Sequence, residues 1–298
     1  MKANPHQELS LAAIEKPAWG RRVDRLELIV FNVGHGLSVA LAERPSQYVT
    51  LIDLGADTGF TPLKHLALKL KLKPDVIYIT HPHADHIDDI ETALDETFRP
   101  LGVFYQDYDW DDVKKRERKE LAYKIDKFLQ LTRLVPRTQY AGGGSLSLWH
   151  FTPQNARKAF AEASYVNNSS LFIIYTWRDF KIAIAGDLES GAMDAMLNSP
   201  GFVTNASKTD ILVPSHHGHK NGFPASWVEK IGKPHISIIS VQEADQSVDS
   251  RYASADFARG VNIGGTVRNR LTTRSDGNVC VTMWYATNGS PTWKFEFF

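Results

Sequence analysis

The sequence predicts a mixed α/β protein built as one large domain, and three observations carry that expectation. Apolar runs of strand length recur between turns that hold Gly and Asp. Other segments repeat their apolar residues at helical spacing. The two kinds alternate along the chain with no fixed repeat, low-complexity stretch or linker to mark an internal boundary.

Residues 1–25 lack sustained periodicity and read as an N-terminal arm, leaving 26–298 as a single folded domain. Leu26–Phe31 is a strand that runs into the turn Asn32-Val33-Gly34-His35-Gly36. Leu37–Ala42 follows as a second strand, and a turn at Ser46-Gln47 leads to a third over Tyr48–Asp53. The period then changes. Leu63, Leu66, Ala67 and Leu70 share one helical face behind Pro62, which suits a first turn. Pro74 ends that helix, and Val76–Thr80 is a short apolar strand.

Ile87–Leu94 reads as a helix whose first turns carry Asp88, Asp89 and Glu91, where the dipole favours acids. One continuous amphipathic helix is expected over Asp111–Leu131, with its Lys and Arg residues on a solvated face. Gly142-Gly143-Gly144 is a turn before the strand Ser145–Phe151. Leu171–Trp177 and Phe180–Ala185 pair around Arg178-Asp179, and Gly191–Leu197 has helical character. Ile211–Pro214 and His235–Val241 are further strands. From Arg270 to Phe298 the pattern is β structure around Asp276-Gly277.

Lys+Arg and Asp+Glu are equal at 34 each, so no overall field favours nucleic acid or an anionic membrane. The one cysteine, Cys280, rules out an intramolecular disulfide and fits a reducing compartment. The first residues lack the apolar core of a secretory signal, and no run approaches the ~20 apolar residues that span a bilayer. The expectation is a soluble cytoplasmic protein without membrane insertion.

Chemistry concentrates where strands end. His81, His83, Asp85 and His86 follow the apolar strand Val76–Thr80, on a loop that a rigid element positions. Imidazole and carboxylate without thiolate suit zinc, manganese or iron and argue against a closed structural zinc site. Four such donors in six residues exceed what one tetrahedral ion takes from a short loop. The natural division gives His81 and His83 to one ion, Asp85 and His86 to a neighbour. Gly186-Asp187 and His216-His217 repeat the pattern after two later strands. At Asp187 the competing role is a cap on the helix-like stretch that follows.

With those residues in view, His81-Pro82-His83-Ala84-Asp85-His86 matches the HxHxDH signature, and the sequence resembles the metallo-β-lactamase superfamily. It is most similar to the branch that holds the metallohydrolase domain of the competence protein ComEC. That branch pairs a Gly-x-Gly turn (Gly34-His35-Gly36) and an IDxG (Ile52-Asp53-Leu54-Gly55) with a late GD (Gly186-Asp187) and an HHG (His216-His217-Gly218). Asn167-Asn168-Ser169-Ser170-Leu171 and Leu271–Gly277 resemble its accessory blocks, and the likeness covers roughly residues 26 to 285. The resemblance implies a four-layer αβ/βα sandwich, the metallo-β-lactamase fold, with two divalent metal ions, zinc or manganese, at one edge of the sheets. By the family pattern Asp187 bridges the ions and His216 completes the second site, with His217 the alternative ligand.

The chain also departs from the pattern. Many members place a third histidine at the first ion, between the main cluster and the bridging Asp. Here that stretch holds Asn167 and Asn168, and its nearest histidine, His150, lies in a strand. A weakly held or harder first ion is the expectation. Leu37 replaces a common acidic residue, and His219 a small hydroxyl residue.

Two ions ~3.5–4 Å apart activate water and clamp the oxygens of an in-line displacement. Asp85 is the candidate proton acceptor, His219 and Lys220 the candidates for the leaving oxygen, and Asn168 and Ser170 candidate substrate contacts. The ComEC-like resemblance implies a phosphodiester substrate, DNA or RNA included, with Arg116, Arg118, Lys119, Arg268, Arg270 and Arg274 as phosphate contacts. The neutral charge weighs against a non-specific DNA binder. The alternatives are a hydrolase of small esters, lactones or choline phosphodiesters, and a non-catalytic interaction module. A regulatory protein partner is compatible with each.

Overall fold

The structure is a computed structural model and describes residues 11–16, 22–119, 121–242 and 248–298. Sixteen strands are found among these residues. The first eight are β1 (Leu11–Lys16), β2 (Val23–Val30), β3 (Val39–Pro45), β4 (Val49–Ile52), β5 (Val76–Tyr78), β6 (Val103–Phe104), β7 (Ser145–Phe151) and β8 (Phe172–Trp177). The rest are β9 (Phe180–Ile184), β10 (Ile211–Val213), β11 (Ile236–Ile239), β12 (Val261–Ile263), β13 (Thr266–Arg268), β14 (Arg270–Thr272), β15 (Val279–Tyr285) and β16 (Pro291–Phe297).

They form two seven-stranded sheets, ordered β16-β15-β2-β3-β4-β5-β6 and β1-β7-β8-β9-β10-β11-β14, beside the small ribbon β12-β13. Both sheets follow one scheme. An antiparallel part (β2-β3-β4, or β7-β8-β9) gives way to parallel strands (β4-β5-β6, or β9-β10-β11-β14). Parallel strands need crossovers, and the helices on the outer faces supply them.

Side-chain alternation fixes the layers. Leu26, Leu28, Leu41 and Ile52 of the first sheet and Leu146, Ile173, Tyr175, Ile182 and Ile238 of the second share one buried cluster between the sheets. The intervening residues Ile29, Ala40, Val49, Leu51 and Ile77 face the other way, into a cluster that includes Leu63, Ile90, Ile125 and Phe128 of the helices. On the second sheet Phe172 meets Phe202 and Trp227, with ring centroids 5.0 and 6.1 Å apart. Helix, sheet, sheet and helix give a four-layer αβ/βα sandwich. No helix among the described residues is long and apolar enough to cross a membrane.

Two local expectations are corrected. Leu11–Lys16, inside the expected arm, is an edge strand paired antiparallel with β7. Its six mixed residues show no period, so only the partner strand decides its conformation. The expected single helix over 111–131 is two helices, Trp110–Arg116 and Tyr123–Leu134. The break occurs at Glu117, which is extended and whose carboxylate accepts the Ala84 N–H (3.0 Å) and the Arg118 N–H (2.8 Å). A tertiary hydrogen bond to the His81–His86 loop thus overrides helix propensity.

Candidate metal centre

In open α/β sheets ligands gather beyond the carboxyl ends of the parallel strands, and the charged residues here do so. After β4 the chain places Asp53, fully buried, in the left-handed region (φ 59). Thr80, just beyond β5, donates its backbone N–H to Asp53 Oδ1 and its hydroxyl to Oδ2, each at 2.7 Å. Asp53 Oδ2 also lies 2.7 Å from His86 Nδ1. That contact turns His86 Nε2 away from the sheet, toward the donors of the other half. Asp53 appeared in the sequence only within the IDxG turn; an acid at a strand end in that turn was the available signal.

The second sheet contributes from two strand ends. Gly186 follows β9 at φ 53, where a Cβ would meet Ser170 Cβ at 2.9 Å, so the turn requires glycine. Asp187 comes next, its N–H bonded to Ser170 Oγ at 3.1 Å. Beyond β10, His216, His217 and Gly218 are all left-handed, at φ 51, 52 and 74. Two consecutive histidines in that region are strained. The fold holds them there, and the His217 ring enters the centre.

Three buried atoms, His86 Nε2, Asp187 Oδ1 and His217 Nε2, lack a hydrogen-bond partner among the described residues. They converge. His86 Nε2 is 3.3 Å from Asp187 Oδ1 and 3.7 Å from Asp85 Oδ2; His217 Nε2 is 3.6 Å from both Asp85 Oδ2 and Asp187 Oδ2. Donors bonded at ~2.0–2.2 Å to a tetrahedral ion stand ~3.3–3.6 Å apart, so this set fits a divalent metal. His81 Nε2 lies 3.0 Å from His83 Nδ1 and 3.9 Å from Asp187 Oδ2, and donor atoms of His81, His86 and Asp187 fall within 4.8 Å of one another.

The electrostatics show what a cation would relieve. Burial opposes protonation of His86, yet Asp187, Asp53 and Asp85 hold its pKa well above the ordinary value. Burial raises the Asp187 carboxyl, but His217 and His86 hold it well below the usual range. Burial lowers both His81 and His83, which keeps them neutral and ready as ligands. Acids buried this closely together need compensating positive charge.

Of the adjacent histidines, His217 offers a donor atom to the cluster, and His216 lines the cavity with Asp187, its Nδ1 buried and also without a partner among the described residues. Asn168 and Ser170 are corrected from substrate contacts to supports. At 2% and 0% exposure they face inward, Asn168 Oδ1 accepting the Glu189 N–H and Ser170 Oγ the Asp187 N–H. His219 bridges to Val248 through its backbone, and Lys220 is exposed. Neither is among the residues that line the cavity. Asp187 does not cap the following helix; Glu189 occupies that position without a side-chain cap bond.

Over the centre opens a cavity of about 320 Å³, with His83, Asp85, Glu117, Arg118, Asn167 and Asp187 in its wall. Among the arginines expected to hold phosphate, Arg116 is paired with Asp112 and Glu162, and Arg268 with Asp276. Arg118 is exposed on the cavity rim.

No protein-family model matches the chain, and no curated protein matches it. Among solved structures the chain is similar to the short form of human tRNase Z, at 14% identity over 72% of this chain and 93% of that one, with a TM-score of 0.41. It is also similar to zinc-bound PqqB from Methylobacterium extorquens (10% identity, 72% and 89% covered, TM-score 0.42). A third is Igni18, a metallo hydrolase from Ignicoccus hospitalis (14%, 72% and 82%, TM-score 0.40). The layer order and topology define the fold described above, and no functional weight falls on these likenesses.

Proposed function

We propose that this protein is a metal-dependent hydrolase of the metallo-β-lactamase type that cleaves phosphodiesters, as its ComEC-like motifs imply. The observation that carries the reading is the convergence of His86 Nε2, Asp187 Oδ1 and His217 Nε2, buried and without hydrogen-bond partners among the described residues, beside a cavity that Asp187 lines. His81, His83 and Asp187 would hold one ion, and Asp85, His86, His217 and Asp187 the other. Zinc or manganese bound there supplies Lewis acidity, a lowered pKa for water and a clamp on the reacting oxygens.

The chain's own residues do the positioning. Asp53 and Thr80 fix the His86 tautomer and ring, and Ser170 and Gly186 aim Asp187. Glu117 pins the backbone at Ala84. Asp85 lies between His86 and His217, a donor's place more than a base's. Arg118 on the rim faces an anionic substrate as it enters. A volume of about 320 Å³ takes a nucleotide-sized segment rather than a duplex. Single-stranded nucleic acid or a small diester therefore fits best. The same volume supports a second reading, hydrolysis of a compact ester or lactone.

The test is hydrolysis of bis-p-nitrophenyl phosphate and single-stranded DNA and RNA with manganese or zinc. Metal-dependent cleavage abolished by Asp187→Ala supports the phosphodiesterase. Cleavage of carboxylic esters alone supports the second reading. About two bound ions with no hydrolysis of any ester would point to a non-catalytic module.

A further inference from the structure

The two metal positions are unequally supplied with protein donors, and a residue outside the expected ligand set widens the difference. His35 lies in the turn between β2 and β3, which belong to the first sheet. Its Nε2 is 3.7 Å from Asp85 Oδ2, and its ring centroid is 4.8 Å from that of His217. Donor atoms of His35, Asp85 and His217 all fall within 4.8 Å of one another, and His35 lines the same cavity.

The turn is held in place from both sides. Gly36 O accepts the Ser240 hydroxyl at 2.8 Å, from the end of β11 in the other sheet. Gly36 itself is at φ 133, where a Cβ would meet Asp85 O at 2.3 Å, so the turn lies directly against the backbone of the metal loop. The glycines on either side let His35 sit this close. Its side chain is 54% exposed, which leaves the imidazole free to rotate the short distance toward Asp85 and His217.

We infer that His35 is a further protein donor to the second ion. Resting on the metal-centre reading above, this makes the second position a tightly filled site with Asp85, His86, Asp187, His217 and His35 around it. The first, with His81, His83 and Asp187, is left with fewer protein donors. Catalytic zinc sites hold three protein ligands and an open position, whereas closed sites serve structure. On this reading the second ion is the more tightly held of the two.

The experiment uses the full chain stripped of metal and titrated with zinc against a competing chelator, and with cobalt followed by visible absorption. The wild-type protein is expected to bind one ion tightly and one weakly. His35→Ala should weaken the tight site by about 10- to 100-fold and leave the weak one unchanged. Its cobalt bands should intensify as the coordination number falls, and millimolar imidazole should reverse the change. His217→Ala, as the reference, should abolish tight binding.

If wild type binds two ions but His35→Ala changes neither the zinc affinity nor the cobalt spectrum, the His35 assignment is overturned and the metal centre stands. Equal weakening of both ions would overturn the asymmetry. Wild-type protein that binds no metal would overturn the metal-centre reading itself, and the role of His35 with it.

Discussion

The two sheets reach the same edge by different means. The first delivers His81, His83, Asp85 and His86 on one short loop beyond β5, supported by a fully buried carboxylate at Asp53. The second delivers Asp187 and His217 from separate strand ends, one through the Gly186 turn and the other through consecutive left-handed residues. Sequence-local clustering needs one rigid strand and one supporting acid. Ligands spread along the chain need a glycine, a buried hydroxyl and backbone strain to reach the same point. The first half therefore depends on electrostatic support and the second on backbone shape.

The sharpest way to break this comparison is to remove the residue proposed to face both metal positions. Asp187→Ala should lower metal-dependent hydrolysis by at least about 10³-fold and reduce bound metal, read by turnover and by metal analysis of the purified protein. Loss of activity with metal content unchanged would place Asp187 outside the ligand set.

Next in size is the buried acid of the first half. Asp53→Ala frees the His86 ring and should cost about 10- to 100-fold in metal affinity while the fold survives. Competition with a chelator measures it. An unchanged affinity would show that packing alone orients His86.

A buried carboxylate away from the centre gives a pH-dependent contrast. Burial pushes Asp89 up to about 6, although it accepts the Leu63 N–H at 3.1 Å. In the unfolded chain an aspartate titrates near ~3.9. Between those values the folded state binds the proton more tightly, so stability is full below about pH 4 and declines as pH rises through 6. The span is on the order of 2–3 kcal/mol. Asp89→Asn should flatten this slope and raise the melting temperature most above pH 6. Denaturation at pH 4 and pH 7 decides, and parallel curves for the two proteins would refute the assignment.

The smallest effect is expected in the second half. Ser170→Ala removes the hydroxyl that accepts the Asp187 N–H and should cost about 1–2 kcal/mol of stability, with a loss of metal affinity below that of Asp53→Ala. If Ser170→Ala were the more damaging for metal, the roles of the two supports would be reversed.

The sequence by itself determined the α/β order, most strand positions, the clustering of candidate metal donors in the His81–His86 run and the strand-end places of Asp187 and the histidine pair. These are local properties: strand period, turn residues and clustered donors are visible in one window. Tertiary structure alone decided the rest. Glu117 breaks a helix because its partner, the Ala84 N–H, lies 33 residues away. His217 offers its ring to the cluster because the fold holds both adjacent histidines in the left-handed region, which side-chain chemistry does not announce. Asn168 and Ser170 look like substrate contacts until their burial and backbone partners are seen. His35 approaches Asp85 and His217 only when the two sheets close against each other, and contact between distant segments leaves no period in a sequence.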